Sequence, residues 1–215
     1  MSNPSADYRL HCFAQSGNAY KAALMLNLCG VSWEPVFVDF FNGGVRTPDY
    51  LELNPMGEVP VLEHGSEQLS QSGVILDYLV DKTGKFGPNS PQEKRDILRW
   101  ILWDNHKLTG YTSTLRFLRN FAKSGETPVT EFLEGRAVNA YKVLNKHLDG
   151  RDWIASDRPT IADISVCGYL FWPDEIGVDF DQFGHIQAWT KRIEVLPGWV
   201  HPYELMPGHP LEAAS

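Results

Sequence analysis

The sequence predicts an α/β domain followed by an all-α domain. Residues 1–84 alternate short apolar runs with helical patterns and contain one hairpin signal. Residues 83–90 are rich in Gly and Pro, which break regular structure. No convincing strand pattern appears after them. We therefore expect domains at residues 1–84 and 91–215, joined by a linker at residues 85–90.

The first three elements predict a βαβ unit. Residues 8–13 have the pattern of a strand, residues 18–29 that of a helix ending at Gly30, and residues 32–40 that of a second strand. Two strands joined through a helix should be parallel.

A short helix, a hairpin and a longer helix follow. Residues 47–53 predict a helix because proline, here Pro48, suits the first helical position. Residues 59–62 and 67–70 are short strand-like runs separated by a turn that contains Gly. With a helix at residues 72–83, the order becomes β-α-β-α-β-β-α, that of a thioredoxin-like domain.

The second domain is predicted to be helical throughout. Ser90 and Glu93 have the spacing of a capping box at the start of a long helix. Thr160 and Asp163 have the same spacing, so we interpret them as structural residues that cap a buried helix. The expected helices cover residues 90–121, 127–150, 160–170 and 185–196.

Composition and charge exclude several classes of function. The net charge is −8, and the chain has no run of Lys or Arg, which argues against a nucleic-acid partner. Arg116, Arg119 and Lys123 repeat near helical spacing, which a solvated helix face explains. No apolar stretch approaches the roughly 20 residues that span a bilayer, and the N-terminus lacks a signal-peptide pattern. We expect a cytoplasmic protein with no membrane partner.

The three cysteines do not form a recognisable framework. Cys12, Cys29 and Cys167 are far apart and lack the spacing of metal ligands. Neither disulfides nor a metal site is expected.

The segment from Asn54 to Leu79 predicts a binding edge. Pro60 at the start of a strand removes one hydrogen-bond donor, and a cis Val59-Pro60 bond would leave the Val59 backbone free to pair with an extended peptide. Ser72 at a helix start offers a hydroxyl and free amides to a carboxylate. Alternatively, Ser72 only caps the helix and Pro60 only shapes a turn.

This segment resembles the glutathione-binding part of the cytosolic glutathione transferases, in which a cis-proline is followed by an acidic residue or Gln and then Ser. The matching positions are Val59-Pro60 and Gln71-Ser72. The resemblance extends from Tyr8 to about Trp199. It implies that the Val59 backbone pairs with the cysteine of glutathione, that Gln71 and Ser72 hold its γ-glutamyl end, and that the protein is a homodimer.

The loop after the first strand is the candidate catalytic loop. It places Ser16 and Asn18 at the start of a helix, where a hydroxyl donated to sulfur would stabilise a thiolate. The Ser-Gly-Asn sequence is similar to that of bacterial family members with Ser or Thr followed two residues later by Asn, which makes Ser16 the candidate donor and Asn18 a supporting amide. The alternative is that either residue merely caps the helix.

Other candidates are weaker. Tyr8 starts too early to act as a catalytic tyrosine, and Cys12 lies inside a strand as a small buried residue. Gln71 lacks the charge that pairs with the glutathione amino group. By resemblance, Asp104 of a neighbouring subunit supplies it; the alternative is that Asp104 is a plain surface charge. Arg46 is a candidate for the glycine carboxylate.

The resemblance implies conjugation of the glutathione thiolate to a small hydrophobic electrophile, as in detoxification. A glutathione-dependent disulfide reductase or peroxidase, and a non-catalytic binding protein, are alternatives on the same fold.

Overall fold

A computed structural model describes residues 6–211, which form two compact units. The first comprises residues 6–85 and 197–211, and the second residues 86–196. The structure thus groups residues 197–211 with the first unit, whereas the sequence assigns them to the helical domain. The reason is that the chain after residue 197 hydrogen-bonds to the first helix and to the loop before it.

The first unit has the predicted thioredoxin-like order of strands and helices, which confirms the fold class. Its elements are β1 (Tyr8–Cys12), α1 (Gly17–Cys29), β2 (Trp33–Phe37), α2 (Pro48–Leu53), β3 (Val61–His64), β4 (Glu67–Ser70) and α3 (Ser72–Thr83).

A four-stranded sheet in the order β2-β1-β3-β4 forms the centre of this unit. β1 and β2 are parallel, and the other two strand pairs are antiparallel. The core is built from alternate residues of β1 and from the apolar faces of α1 and α3, which pack against each other. Its fully buried members include Leu10, Leu24, Leu62, Ile75 and Leu79.

The strand register brings several loops to one edge of the sheet. Cys12, at the end of β1, pairs with Phe37, at the end of β2. Val61, at the start of β3, pairs with both His11 near the end of β1 and Ser70 at the end of β4. The chain segments after β1, β2 and β4 and before β3 therefore lie at the same edge.

The second unit is helical, as predicted. Its helices are α4 (Pro91–Trp103), α5 (Thr109–Arg116), α6 (Pro128–His147), α7 (Ile161–Val166), α8 (Pro173–Ile176) and α9 (Gly184–Glu194). The π-helical segment Asp104–Leu108 joins α4 to α5, and a second one, Phe117–Phe121, extends α5, so the predicted long helix to about residue 121 is confirmed. The capping box of Thr160 and Asp163 at the start of α7 is also confirmed.

The expectation of a solvated helix face is wrong for Arg116. Its side chain is 1% exposed, lies 2.6 Å from the Glu175 carboxylate and stacks over the Trp172 ring at 3.8 Å. An arginine can be buried where a carboxylate and an aromatic face both receive its guanidinium group. Arg116 is therefore a structural residue of the second unit.

Within residues 6–211, no helix combines the length and apolar character needed to cross a membrane. The same residues contain no cluster of three or more His, Cys, Asp or Glu side chains suited to a metal ion.

Candidate active site

Ser16 lies at the edge of the sheet defined above, directly before α1. It is the N-cap of this 13-residue helix, and its Oγ accepts a hydrogen bond from the Ala19 amide at 3.1 Å. A hydroxyl that accepts this bond still carries a hydrogen to donate, and no residue from 6 to 211 receives it. The first turn of α1 contains no acidic residue, so its positive end is not neutralised locally. Ser16 is thus both a cap and an available donor.

Asn18 lies in the first turn of the same helix and is half-buried. Its amide oxygen is buried without a hydrogen-bond partner in the described part of the chain. A buried polar atom of this kind needs a partner, which water or a ligand can supply. The structure thus places both predicted residues of the catalytic loop at one helix start.

Val59 and Pro60 lie at the same edge, immediately before β3. The Val59-Pro60 peptide bond is cis, as the resemblance implies. Pairing between β1 and β3 begins at Val61, so Val59 lies outside the ladder. Its backbone groups are therefore not used by the sheet.

The loop before Pro60 is held by residues that the sequence did not single out. Asn54 is 2% exposed, donates to the Glu58 carbonyl at 2.8 Å and accepts from the Met56 amide at 3.2 Å. The Tyr50 hydroxyl donates to the same carbonyl at 2.9 Å. The Asn-Pro pair at residues 54–55 was the available sequence signal, because Asn before Pro favours a turn closed by its own side chain.

Gln71 connects this loop to the start of α3. Its backbone has φ 69° and ψ 116°, a conformation that residues other than glycine rarely adopt. The side-chain amide donates to the Glu58 carboxylate and to the Met56 sulfur, both at 3.2 Å. Glu58 is therefore an acidic group at this edge that sequence analysis missed.

Ser72 is the first residue of α3 and is 5% exposed. No side chain caps this helix start. The first amides of α3 and the Ser72 hydroxyl therefore form a local donor group beside Gln71. Arg46 belongs to the same region, because a Cβ on Gly57 would lie 2.8 Å from its guanidinium nitrogen.

Asp104 is not in this group, and the structure corrects both interpretations of it. The residue is fully buried in the second unit. Its carboxylate accepts hydrogen bonds from Thr109 Oγ1 and Ser165 Oγ, both at 2.7 Å. A side chain held in this way is not a surface charge and does not extend toward a ligand of another subunit.

Tyr8 and Cys12 are placed as the sequence predicts. The Tyr8 ring stacks on His64 at 4.1 Å, at the end of the β1–β3 ladder opposite to Ser16. Cys12 is fully buried, and burial raises the pKa of its thiol to about 12. A thiol with this pKa stays protonated at neutral pH, so it is a poor nucleophile.

Comparisons with known proteins match both parts of this chain. Residues 7–81 match the model of the glutathione S-transferase N-terminal domain, and residues 113–197 match that of the C-terminal domain. Glutathione S-transferase GST-4.5 of Xanthomonas campestris is 31% identical over 69% of this chain and 76% of its own. Disulfide-bond oxidoreductase YfcG of Escherichia coli is 28% identical over 86% of this chain and 89% of its own.

Solved structures with the same fold also include a possible member of this family. The crystal structure of a possible glutathione S-transferase from Rhodopseudomonas palustris superposes with a TM-score of 0.86 at 33% identity, covering 92% of this chain and 98% of the other. The paired domain matches and the identity to GST-4.5 together show that this chain belongs to the glutathione S-transferase family.

Proposed function

We propose that this protein binds glutathione at the edge of the sheet and transfers its thiolate to a small hydrophobic electrophile. The observation that carries the proposal is the Ser16 hydroxyl, which caps α1 and keeps a hydrogen to donate at the positive end of that helix. We assign the protein to the bacterial serine-type members on the same residue.

The cysteine and the γ-glutamyl end of glutathione have matching groups at this edge. The Val59 backbone, outside the ladder, pairs with the cysteine residue of the tripeptide. The Ser72 hydroxyl and the first amides of α3 receive the γ-glutamyl carboxylate. The Glu58 carboxylate, which accepts from Gln71, supplies the negative charge that the ammonium group needs and that Asp104 does not provide.

The reaction requires the thiolate of glutathione. A free thiol has a pKa of about 8.5 and is mostly protonated at neutral pH. Ser16 donates a hydrogen bond to the sulfur, and the start of α1 adds its positive potential. Both lower the pKa of the thiol, so its proton is released to solvent at a lower pH. The sulfur lone pair then forms the new S–C bond, while the electrophile releases its leaving group or takes up a proton.

A glutathione-dependent disulfide reductase or peroxidase is the second candidate, supported by the likeness to the oxidoreductase YfcG. In the reductase reaction the same thiolate attacks one sulfur of a disulfide, forms a mixed disulfide and releases the other sulfur as a thiolate. Cys12 takes no part because it is buried and protonated. Turnover of a mixed disulfide or organic peroxide without turnover of aryl halides or epoxides would favour this candidate.

We further propose a homodimer that acts in cytoplasmic detoxification, on the basis of the family resemblance. Sedimentation of the purified protein as a monomer would contradict the dimer. A protein that gives no heat with glutathione at several temperatures would instead be a non-catalytic member of the family.

The first test replaces Ser16 by Ala. We expect glutathione to bind wild type with a thiol pKa below 8.5, and Ser16→Ala to raise that pKa by roughly one to two units, because a hydrogen bond to a charged group is lost. Thiolate absorbance during a pH titration measures the pKa, and calorimetry measures the binding.

Ser90→Ala is the matched control. Ser90 caps α4 through its Oγ at 3.1 Å from the Glu93 amide, the same interaction that Ser16 makes in α1. Both variants should lose about 1 kcal/mol of stability, but only Ser16→Ala should change the thiol pKa. Equal pKa values in wild type and Ser16→Ala would show that Ser16 is a cap alone.

A further inference from the structure

The C-terminal strap, residues 197–211, lies along α1 of its own unit. At its start, Asn27 near the end of α1 donates from its side-chain amide to the Gly198 carbonyl at 2.6 Å. Roughly two turns earlier in α1, the Tyr20 hydroxyl donates to the Val200 carbonyl at 3.0 Å. The strap therefore runs from the end of α1 toward its start.

The strap ends at the catalytic loop. The Ala14 amide donates to the Pro207 carbonyl at 2.7 Å, and the Gln15 side-chain amide donates to the Gly208 carbonyl at 2.7 Å. Gln15 is 4% exposed, so its bond to the strap is shielded from water. These two residues directly precede Ser16.

The Ala14 amide depends on the strap because neither neighbouring element uses it. β1 ends at Cys12 and α1 begins at Gly17, so the Ala14 amide belongs to neither the strand ladder nor the helix. A buried backbone amide without an acceptor costs about as much as a lost hydrogen bond. The Pro207 carbonyl supplies that acceptor.

The strap itself has a defined shape. Its short helix α10 (Pro202–Leu205) is capped by His201, and the Tyr203 ring stacks on the His209 ring at 3.7 Å. Gly208 has φ 92°, and a Cβ at this position would lie 2.6 Å from the Phe37 ring. Glycine is therefore needed where the strap meets the loop.

We propose that the strap positions the catalytic loop and that Gln15 is a positioning residue for the thiolate. One hydrogen bond from the Ala14 backbone and one from the Gln15 side chain tie residues 14–15 to the strap, and the direction of the Ser16 Oγ depends on how this segment is held. A hydrogen bond to sulfur weakens steeply when its angle changes, so a loose loop would stabilise the thiolate less. The inference rests on the role proposed for Ser16 and deepens it.

The experiment compares two variants with two matched controls. Gln15→Met keeps the approximate volume of the side chain but cannot donate to Gly208. Its control is Gln182→Met, which removes a bond of the same kind, from Gln182 to the Asp179 carbonyl at 2.9 Å, in the other unit.

Gly208→Ala places a methyl group 2.6 Å from the ring of Phe37, so the end of the strap or that ring has to move. Gly84→Ala is its control, because Gly84 also has a positive φ of 67°, but a Cβ at that position would meet no other atom within 4 Å. The two substitutions thus share the backbone strain and differ in the contact with Phe37.

Two readouts are measured on the full chain. Hydrogen exchange in the peptide containing Ala14 should be roughly ten-fold faster in Gln15→Met and Gly208→Ala than in their controls. The pKa of the thiol of bound glutathione should rise by about half to one unit in both variants, with glutathione affinity changed by less than about three-fold.

The possible outcomes distinguish failure of the strap proposal from failure of the proposed function. A wild-type thiol pKa that is not lowered would overturn the role of Ser16, and that of the strap with it. A lowered wild-type pKa that both variants retain would overturn the strap alone. A fold too unstable to titrate in Gly208→Ala leaves the decision to Gln15→Met, whose buried volume is nearly unchanged.

Discussion

At the scale of single residues, the cap of α1 and the proposed donor to the thiolate, which the sequence presents as alternatives for Ser16, are compatible in one side chain. A hydroxyl has one hydrogen and two acceptor sites, so capping α1 through the Ala19 amide leaves the hydrogen available. The residue type and its place before a helix were sufficient to predict this position. Gln71 differs, because nothing in its sequence context indicates a positive φ.

We predict that Gln71→Gly stabilises the protein and weakens glutathione binding. Glycine tolerates φ 69° and ψ 116°, so relieving the strain should raise the free energy of unfolding by about 1 kcal/mol. Loss of the amide that contacts Glu58 should lower the affinity for glutathione several-fold. Denaturant unfolding and calorimetry measure the two effects.

Lys123→Gly is the matched control for this change. Lys123 has φ 48° and lies in the second unit, so its replacement should give a similar gain in stability with unchanged glutathione affinity. Unchanged affinity in Gln71→Gly as well would remove Gln71 from the binding site.

At the scale of elements, the π-helical segment at Asp104–Leu108 gives Asp104 a partner that the helical pattern of the sequence does not indicate. A π-turn brings residue i+5 next to residue i, and here Thr109 bonds to Asp104 through both its backbone amide and its hydroxyl. An α-helical period of 3.6 residues does not place these positions together. The boundaries of the long helix were thus predictable, but the local change of period inside it was not.

The start of α7 gives a prediction at the same scale. The Asp163 carboxylate accepts from the amides of Thr160 and Ile154, both at 2.9 Å, and from Trp189 Nε1 at 3.0 Å. Burial raises the pKa of this carboxyl group, while the hydrogen bonds oppose that shift. The Thr160 hydroxyl is a fourth donor to this carboxylate, at 3.2 Å. Asp163→Ala removes the acceptor of all four buried donors and should cost about 3 kcal/mol or more.

Ser90→Ala, which removes an exposed cap, provides the comparison and should cost about 1 kcal/mol. Denaturant unfolding of both variants measures the difference. If the two costs were equal, Asp163 would be an ordinary cap and not the centre of a buried network.

At the scale of the whole molecule, the sequence predicts the order of the two domains. It does not predict that residues 197–211 join the first unit. Hydrophobic periodicity and breaker residues distinguish the α/β domain from the helical one. Residues 197–211 have no such periodicity, and their partners in the loop before α1 include the Ala14 backbone amide, which no side-chain pattern reports. The contact between the strap and the loop before α1 therefore appears only in the structure.

The free energy of unfolding should also depend on pH, because a histidine of the second unit has different pKa values in the folded and unfolded chain. His147, at the end of α6, donates from Nε2 to the Ile154 carbonyl at 2.8 Å, and its ring lies 4.3 Å from that of Trp100. Burial lowers the pKa of His147, and the charges of Arg151 and Arg99 lower it further, although the bond to Ile154 acts in the opposite direction. The folded state therefore favours the neutral imidazole.

The sign of the resulting pH dependence follows from proton counting. An unfolded histidine titrates near pH 6.5, so below that pH the unfolded chain binds more protons at His147 than the folded chain does. The free energy of unfolding should fall as the pH is lowered from about 7 to about 5, and His147→Gln, which keeps an amide donor for Ile154, should make that fall shallower. Lys146→Gln removes one positive charge from the same helix turn and should leave the slope unchanged, because lysine side chains stay charged over this range. Denaturant unfolding at several pH values measures the slopes, and equal slopes in wild type and His147→Gln would show that protonation of this histidine does not contribute.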